Sequence, residues 1–219
     1  MCVPRGRVLR DFQEQMLRPT DKLQISFEIP TVVGPICGVD EAGRGPLAGP
    51  VTAAAVILSE DFPREVLADS KVLTRRMREE AENVIRKHAA AYGIGWATHE
   101  EIDRINILQA SLLAMSRAVE ALGREVALVL VDGNRTPVLP FPSRAIIGGD
   151  AIVPEIMAAS ILAKTARDRW MIEYAKIEPQ YLFEKHKGYP TAEHRRLIGV
   201  HGPSRIHRRT FQFEVPASL

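Results

Sequence analysis

Residues 38–51 read GVDEAGRGPLAGPV, and this stretch decides the fold because it joins two predicted strands through an acidic pair and a glycine-rich turn. The apolar segment 36–39 predicts a short buried strand that ends on Asp40. The segment 51–58 predicts a second strand that is apolar on both faces, as near the centre of a covered sheet. Asp40 and Glu41 are therefore expected at a strand end, where α/β proteins place their sites.

Two further acids follow predicted strands in the same way. The apolar run 126–131 ends on Asp132, and a short strand over 145–147 is followed by two glycines and Asp150. If the strands are neighbours, these acids converge with the acidic pair. Each acid alone is also explained as a helix cap, a turn residue or an ion-pair partner.

The rest of the pattern places helices around this sheet. It predicts a helix over 74–91, a third strand over 92–98 and a long helix over 154–176. Between them, Thr98 or Asn106 is expected to cap a helical segment. Strands and helices in this order are typical of an α/β fold with a mixed central sheet.

The composition excludes several classes of protein. The chain has 219 residues, of which 46% are hydrophobic and 26% charged, as in a soluble globular domain. Its longest apolar run is too short to span a bilayer, and residues 1–20 lack the apolar core of a signal peptide, so we expect a cytoplasmic protein. Cys2 and Cys37 are the only cysteines, which argues against a disulfide framework or a zinc site.

Positive charge is concentrated near the C-terminus. Residues 1–159 carry 18 basic and 21 acidic side chains, whereas residues 160–219 carry 11 basic and 6 acidic ones. A basic final quarter suits a polyanionic partner, although a solvated basic tail explains the same count.

Four converging carboxylates indicate a metal site. Close together they would repel one another and hold protons, unless cations neutralised them. Hard oxygen ligands select magnesium or manganese, and two such ions about 4 Å apart can clamp a phosphoryl displacement. Neighbours on an ideal strand face opposite ways, so Asp40 and Glu41 share a site only if the strand bends or ends there. The turn Gly43-Arg44-Gly45 offers backbone N–H groups and a cation to a phosphate, but a tight turn explains it equally well.

At this point the motifs resemble those of a known family. Residues 38–51 resemble the signature of ribonuclease HII. Further motifs follow in that family's order: Asp69-Ser70-Lys71, Ile102-Asp103 with Asn106-Ile107, Asp132-Gly133-Asn134, Gly148-Gly149-Asp150, Ala158 to Lys164 with Arg167-Asp168, His186-Lys187-Gly188-Tyr189, and His207-Arg208-Arg209 with Phe211. The resemblance covers about residues 35–213.

The resemblance implies a ribonuclease H-like fold, in which a five-stranded mixed sheet is flanked by helices and followed by additional C-terminal helices. It implies four catalytic, metal-binding carboxylates, which fall on Asp40, Glu41, Asp132 and Asp150, with two Mg²⁺ or Mn²⁺ ions in the active complex. It also implies cleavage of RNA in RNA–DNA hybrids and on the 5′ side of single ribonucleotides in DNA, leaving a 3′-hydroxyl and a 5′-phosphate, with a role in ribonucleotide removal.

Substrate contacts are implied as well. The backbone of Gly43, Arg44 and Gly45 would read the ribose 2′-hydroxyl, the group that separates RNA from DNA. Tyr189 would pack on the next sugar, unless it is an ordinary core or surface tyrosine. The candidate phosphate contacts are Ser70, Lys71, Lys164 and Arg167. Asn106 either contacts nucleic acid or only caps a helix, and we assign structural or phosphate-contact roles to the C-terminal histidines.

These expectations divide the chain into an N-terminal extension over 1–33, expected to be partly disordered, a catalytic core over 34–177 and a helical substrate-binding segment over 178–219. We expect a monomer that binds hybrid or ribonucleotide-containing duplex and no membrane. The segment 211–213 leaves open whether a sliding clamp docks there. The alternatives are another two-metal nuclease, such as a Holliday-junction resolvase, and a non-catalytic hybrid-binding protein.

Overall fold

The computed structural model describes residues 32–67 and 74–212. Their centre is a sheet of strands in the order β3-β2-β1-β4-β5. The strands are β1 (Ile36–Ala42), β2 (Val51–Leu58), β3 (Ala89–Ala97), β4 (Leu128–Asp132) and β5 (Ser143–Ile146). β1 pairs antiparallel with β2 and parallel with β4, so the predicted mixed sheet is confirmed.

Helices cover both faces of the sheet. They are α1 (Arg75–His88), α2 (His99–Glu120), α3 (Pro154–Tyr174), α4 (Phe183–His186) and α5 (Ala192–His201). Short 3₁₀ turns lie at Arg64–Val66, Gly149–Ala151 and Pro179–Tyr181. Across residues 32–67 and 74–212, no helix combines the length and the apolar character needed to cross a membrane.

Successive side chains of β2 pack into two separate hydrophobic cores, one on each face of the sheet. Ala53 and Ala55 belong to the core on the α2 side of the sheet, and Ala54 and Val56 belong to the core on the α3 side. On the α3 side, Gly38 lets the helix approach closely, because a Cβ there would lie 2.1 Å from the backbone carbon of Glu155. This close approach sets α3 against β1, the strand that carries the acidic pair.

The structure corrects several predicted boundaries. β1 does not end on Asp40 but continues to Ala42, still paired with β2. The helix predicted over 74–91 ends at His88, and the third strand begins at Ala89 instead of at residue 92. Alanine favours a helix, but pairing with the buried strand β2 overrides that preference. The predicted extension over 1–33 falls almost wholly outside the described residues, as do Ser70 and Lys71.

Both predicted caps are present in α2. Thr98 forms a capping box with Glu101 at the start of the helix. Asn106 interrupts the helix with φ 67° and ψ 165°, and its side-chain oxygen accepts the N–H of Gln109 at 3.1 Å. The capping role of Asn106 is therefore confirmed, whereas its contact with nucleic acid stays a prediction.

Candidate active site

The sheet brings the four predicted acids to one cleft of about 520 Å³. Val39 on β1 pairs with Val131 on β4, so the residues that follow them, Asp40 and Asp132, lie on adjacent parallel strands. Asp150 lies in the 3₁₀ turn after β5, and its N–H donates to Asp132 Oδ1 at 3.2 Å. The cleft lining includes the four acids, the loop after β1, Arg78, Ser160, Lys164 and Tyr189.

The acidic pair faces this cleft although its members are neighbours on a strand. Asp40 is 6% exposed and the Glu41 side chain 11% exposed, and both line the cleft. Asp40 Oδ1 accepts the N–H of Glu41 at 2.7 Å, immediately before the strand ends at Ala42. Both side chains therefore border the cleft, although β1 keeps a regular register with β2 through Ala42.

Burial and like charge raise the pKa of the acidic pair. Desolvation raises the pKa of Asp40 well above its ordinary value, the charges of Glu41 and Asp132 raise it further, and a hydrogen bond from Ser160 opposes the rise. Desolvation also raises the pKa of Glu41, against the nearby charge of Arg44. The cleft thus holds carboxylates whose charge is costly until a cation balances it.

The donor set fits hard divalent cations. The four acids present only carboxylate oxygens, the ligands that Mg²⁺ and Mn²⁺ prefer. Within residues 32–67 and 74–212, no three Asp, Glu, His or Cys side chains are already drawn into a closed ligand set.

Cations and an aromatic ring border the acids. Arg44 donates to Glu41 Oε1 at 3.3 Å. Lys164 donates to Asp168 Oδ1 at 2.7 Å and lies 5.3 Å from the centre of the Tyr189 ring, which is 38% exposed. Lys164 and Tyr189 therefore line the same cleft as the acids, and their contacts with substrate stay predictions.

Two polar residues that line the cleft, Arg78 and Ser160, are not among the predicted site residues. Arg78 is one of several arginines on α1, and nothing in their spacing distinguishes the one that lines the cleft. Ser160 belongs to a motif quoted above, but no role followed from it. Its position on α3, over β1, could be inferred only once the close packing at Gly38 was known.

Arg167 is a correction, because it is fully buried and cannot contact a phosphate. Its Nε donates to the carbonyl of Pro50 at 2.9 Å, Nη1 to that of Lys187 at 3.0 Å and Nη2 to that of Ala48 at 3.0 Å. Desolvation lowers its pKa to about 10, which leaves it charged at neutral pH. The guanidinium therefore braces the loop after β1 from behind.

Three C-terminal histidines form a buried cluster. His186 stacks on His194 with ring centres 4.1 Å apart, and the Nε2 atoms of His194 and His207 lie 3.1 Å apart. Burial, followed by the charge of a neighbouring histidine, lowers the pKa of His194 to about 4 and that of His207 to about 3. The cluster is neutral at pH 7 and supports the predicted structural role for these residues.

Comparisons with known proteins decide the family. The family model described as Ribonuclease HII matches residues 37–213, which is most of the chain. The chain belongs to the ribonuclease HII family. Ribonuclease HII of Polaromonas sp. (strain JS666 / ATCC BAA-500) is 56% identical over 191 residues, which cover 87% of this chain and 94% of the relative. The family membership makes this protein a ribonuclease H-type hydrolase.

Solved ribonuclease HII-like structures share the fold. The ribonuclease H2 of Pyrococcus horikoshii OT3 is 26% identical, with a TM-score of 0.66, and the match covers 82% of this chain and 94% of that one. The Archaeoglobus fulgidus RNase HII, solved as a complex with PCNA, is 23% identical with a TM-score of 0.69, over 82% of this chain and 96% of that one. The ribonuclease H-like fold predicted from the sequence is therefore confirmed.

Proposed function

We propose that this protein is a divalent-metal-dependent endonuclease that cuts RNA in RNA–DNA hybrids and on the 5′ side of single ribonucleotides in duplex DNA. The observation that carries the proposal is the gathering of Asp40, Glu41, Asp132 and Asp150 in one cleft. Family membership supports the hydrolase class, and the cleft supplies the residues for the chemistry.

The four carboxylates would hold two Mg²⁺ or Mn²⁺ ions. When bound, such ions supply an activated water and stabilise the departing 3′ oxygen, leaving a 3′-hydroxyl and a 5′-phosphate. The contribution of the protein is to fix the oxygen donors on a rigid sheet. Ser160 adds a hydrogen bond to Asp40, which favours the charged form that an ion requires.

The loop after β1 and the Lys164–Tyr189 pair supply the recognition. The backbone of Gly43, Arg44 and Gly45 borders the acids and is proposed to read the ribose 2′-hydroxyl. The half-exposed ring of Tyr189 offers an apolar face to the next sugar, and Lys164 offers a charge to a phosphate. A role in removing ribonucleotides from DNA would follow from this specificity.

A clamp contact through the segment 211–213 is a further proposal, supported by the solved complex of the Archaeoglobus fulgidus RNase HII with PCNA. Phe211 packs against the core on the α2 side of the sheet, and the guanidinium carbon of Arg208 lies 5.0 Å from the centre of its ring. Clamp binding and the monomeric state stay predictions.

A substrate series tests the proposal. With Mg²⁺, the protein should cut the RNA strand of a labelled hybrid and leave an all-DNA duplex of the same sequence intact. Asp132→Asn should abolish cutting but retain binding, because the fold persists while the ligand set is incomplete. Asp61→Asn, which removes an exposed acid away from the cleft, should cut normally. Cleavage of the all-DNA duplex would favour a resolvase-type nuclease, and binding without metal-dependent cutting would favour a hybrid-binding protein.

A further inference from the structure

The loop after β1 is held by a second buried arginine, Arg208, which lies 165 residues further along the chain than Gly43. The Arg208 side chain is fully buried, and its Nη2 and Nη1 donate to the carbonyl oxygens of Gly43 at 2.6 Å and Arg44 at 2.9 Å. Its Nε donates to the carbonyl of Gly49 at 3.0 Å, and Nη2 also reaches that of Pro50 at 3.3 Å. One guanidinium therefore binds carbonyls at both ends of the loop.

Because the peptide bond is planar, these carbonyl contacts also fix the direction of N–H groups on the other side of the loop. In a trans peptide, the carbonyl of one residue and the N–H of the next point in opposite directions. Because the carbonyls of Gly43 and Arg44 point inward to Arg208, the N–H groups of Arg44 and Gly45 point away from it. Both of these residues line the cleft beside the acids. Two consecutive N–H groups aimed at one space can bind an electronegative oxygen.

We propose that Arg208 is a positioning residue that aims the N–H groups of Arg44 and Gly45 at the ribose 2′ oxygen of the substrate. This inference rests on the proposed function, since it names the group that arranges the loop for ribose recognition. Arg208 itself has no exposed surface and does not touch the substrate.

The energetic cost of this arrangement supports a role beyond packing. Burying a guanidinium is expensive, and the hydrogen-bond partners of Arg208 among the described residues are backbone carbonyls. The nearby charge of Asp103 raises the pKa of Arg208 but does not offset the desolvation, because the pKa is lowered overall. A second buried cation, Arg167, lies close enough for its charge to depress the pKa of Arg208. An apolar side chain would fill the same space without that cost, but it could not orient successive carbonyls. A planar fork of donors can do so, whereas the single ammonium of a lysine cannot.

The test compares affinities for ribose and deoxyribose at one position. In an Asp132→Asn background with Mg²⁺, we measure the Kd for a duplex with one ribonucleotide and for the same duplex in all-DNA form. The parent should prefer the ribonucleotide by roughly tenfold or more, because an unmet hydrogen bond disfavours the deoxy form. Arg208→Lys should bring this ratio to within about twofold of unity, with the all-DNA Kd almost unchanged. The matched control Arg209→Lys, which alters the neighbouring exposed arginine, should keep the parent ratio.

An unchanged ratio in a folded Arg208→Lys protein would overturn the proposal, since a merely structural arginine would not alter the discrimination. If the parent itself shows no preference, the proposed ribose recognition fails, and the inference fails with it. These two results are distinct, because only the second appears before any change at Arg208.

Amide hydrogen exchange in the unsubstituted loop tests whether these N–H groups contact the ribose, even if Arg208→Lys does not fold. In the Asp132→Asn background, the ribonucleotide duplex should slow exchange at the amides of Arg44 and Gly45 more than the all-DNA duplex does. Equal protection by the two duplexes would refute the proposal.

Discussion

The same alanine substitution at two glycines of one loop should have very different effects on stability. At Gly43, φ is +100°, and an added Cβ would lie 2.1 Å from Arg167 Nε and 2.4 Å from its Cδ. Arg167 cannot move aside easily, because three carbonyl bonds hold its guanidinium. At Gly45, a Cβ would meet no atom within 4 Å, and φ lies outside the left-handed region.

The structure sets the size of this difference. A non-glycine residue with positive φ costs about 1–2 kcal/mol, and overpacking a filled interior costs about 1–3 kcal/mol more. Gly43→Ala should therefore lower the free energy of unfolding by about 2–5 kcal/mol, whereas Gly45→Ala should change it by less than about 1 kcal/mol. Urea unfolding followed by tryptophan fluorescence measures both. If the free energy of unfolding of Gly43→Ala lies within about 0.5 kcal/mol of the parent value, the position assigned to Arg167 against the loop is wrong.

Three further predictions concern protons and the rim of the cleft. Because the pKa values of Asp40 and Glu41 are raised, binding of Mg²⁺ should release protons and become tighter as the pH rises. Calorimetry in buffers of different ionisation enthalpy detects this proton release, and binding without proton release would contradict the assignment of these two acids as metal ligands. His194 and His207 have lowered pKa values of about 4 and about 3, so below about pH 6.5 the unfolded state binds protons that the folded state excludes. Each histidine should therefore lower the free energy of unfolding by about 2 kcal/mol at pH 5 relative to pH 7. Urea midpoints at the two pH values check this, and His207→Asn should reduce the dependence; an equal dependence in that variant would count against it. Tyr189→Phe should cut nearly as well as the parent, whereas Tyr189→Ala should lose roughly tenfold in kcat/KM, about 1.4 kcal/mol of ring contact; equal losses would assign the effect to the hydroxyl.

Much of the sheet could be predicted because its central strands are apolar on both faces. Residues 51–58 form β2 as predicted, since a strand buried on both faces is apolar at every position except Thr52. The segment 89–91 is predicted as the end of a helix, but Ala89 and Ala91 pair with β2. The preference of a short segment is local, whereas the pairing energy depends on a strand more than 30 residues away in the chain.

The acids of the candidate site could be predicted because each lies at or just after the end of an apolar strand, and strand ends in one sheet converge. The supports of the site could not be predicted in this way. Arg167 and Arg208 look like surface cations in the sequence, since arginine is rarely fully buried, and their partners are backbone carbonyls that leave no trace in side-chain patterns. Only the folded arrangement, in which the segment around His207 pairs with Ala48, places Arg208 behind the loop.

Cleavage of a labelled DNA duplex that carries one ribonucleotide tests the proposed function most directly. We expect a single cut on the 5′ side of that ribonucleotide with Mg²⁺ or Mn²⁺, no cut when EDTA removes the metal, and no cut by Asp132→Asn in the presence of metal. A duplex left intact by the parent protein with Mg²⁺ and with Mn²⁺, or cut equally well by Asp132→Asn, would contradict the proposed function.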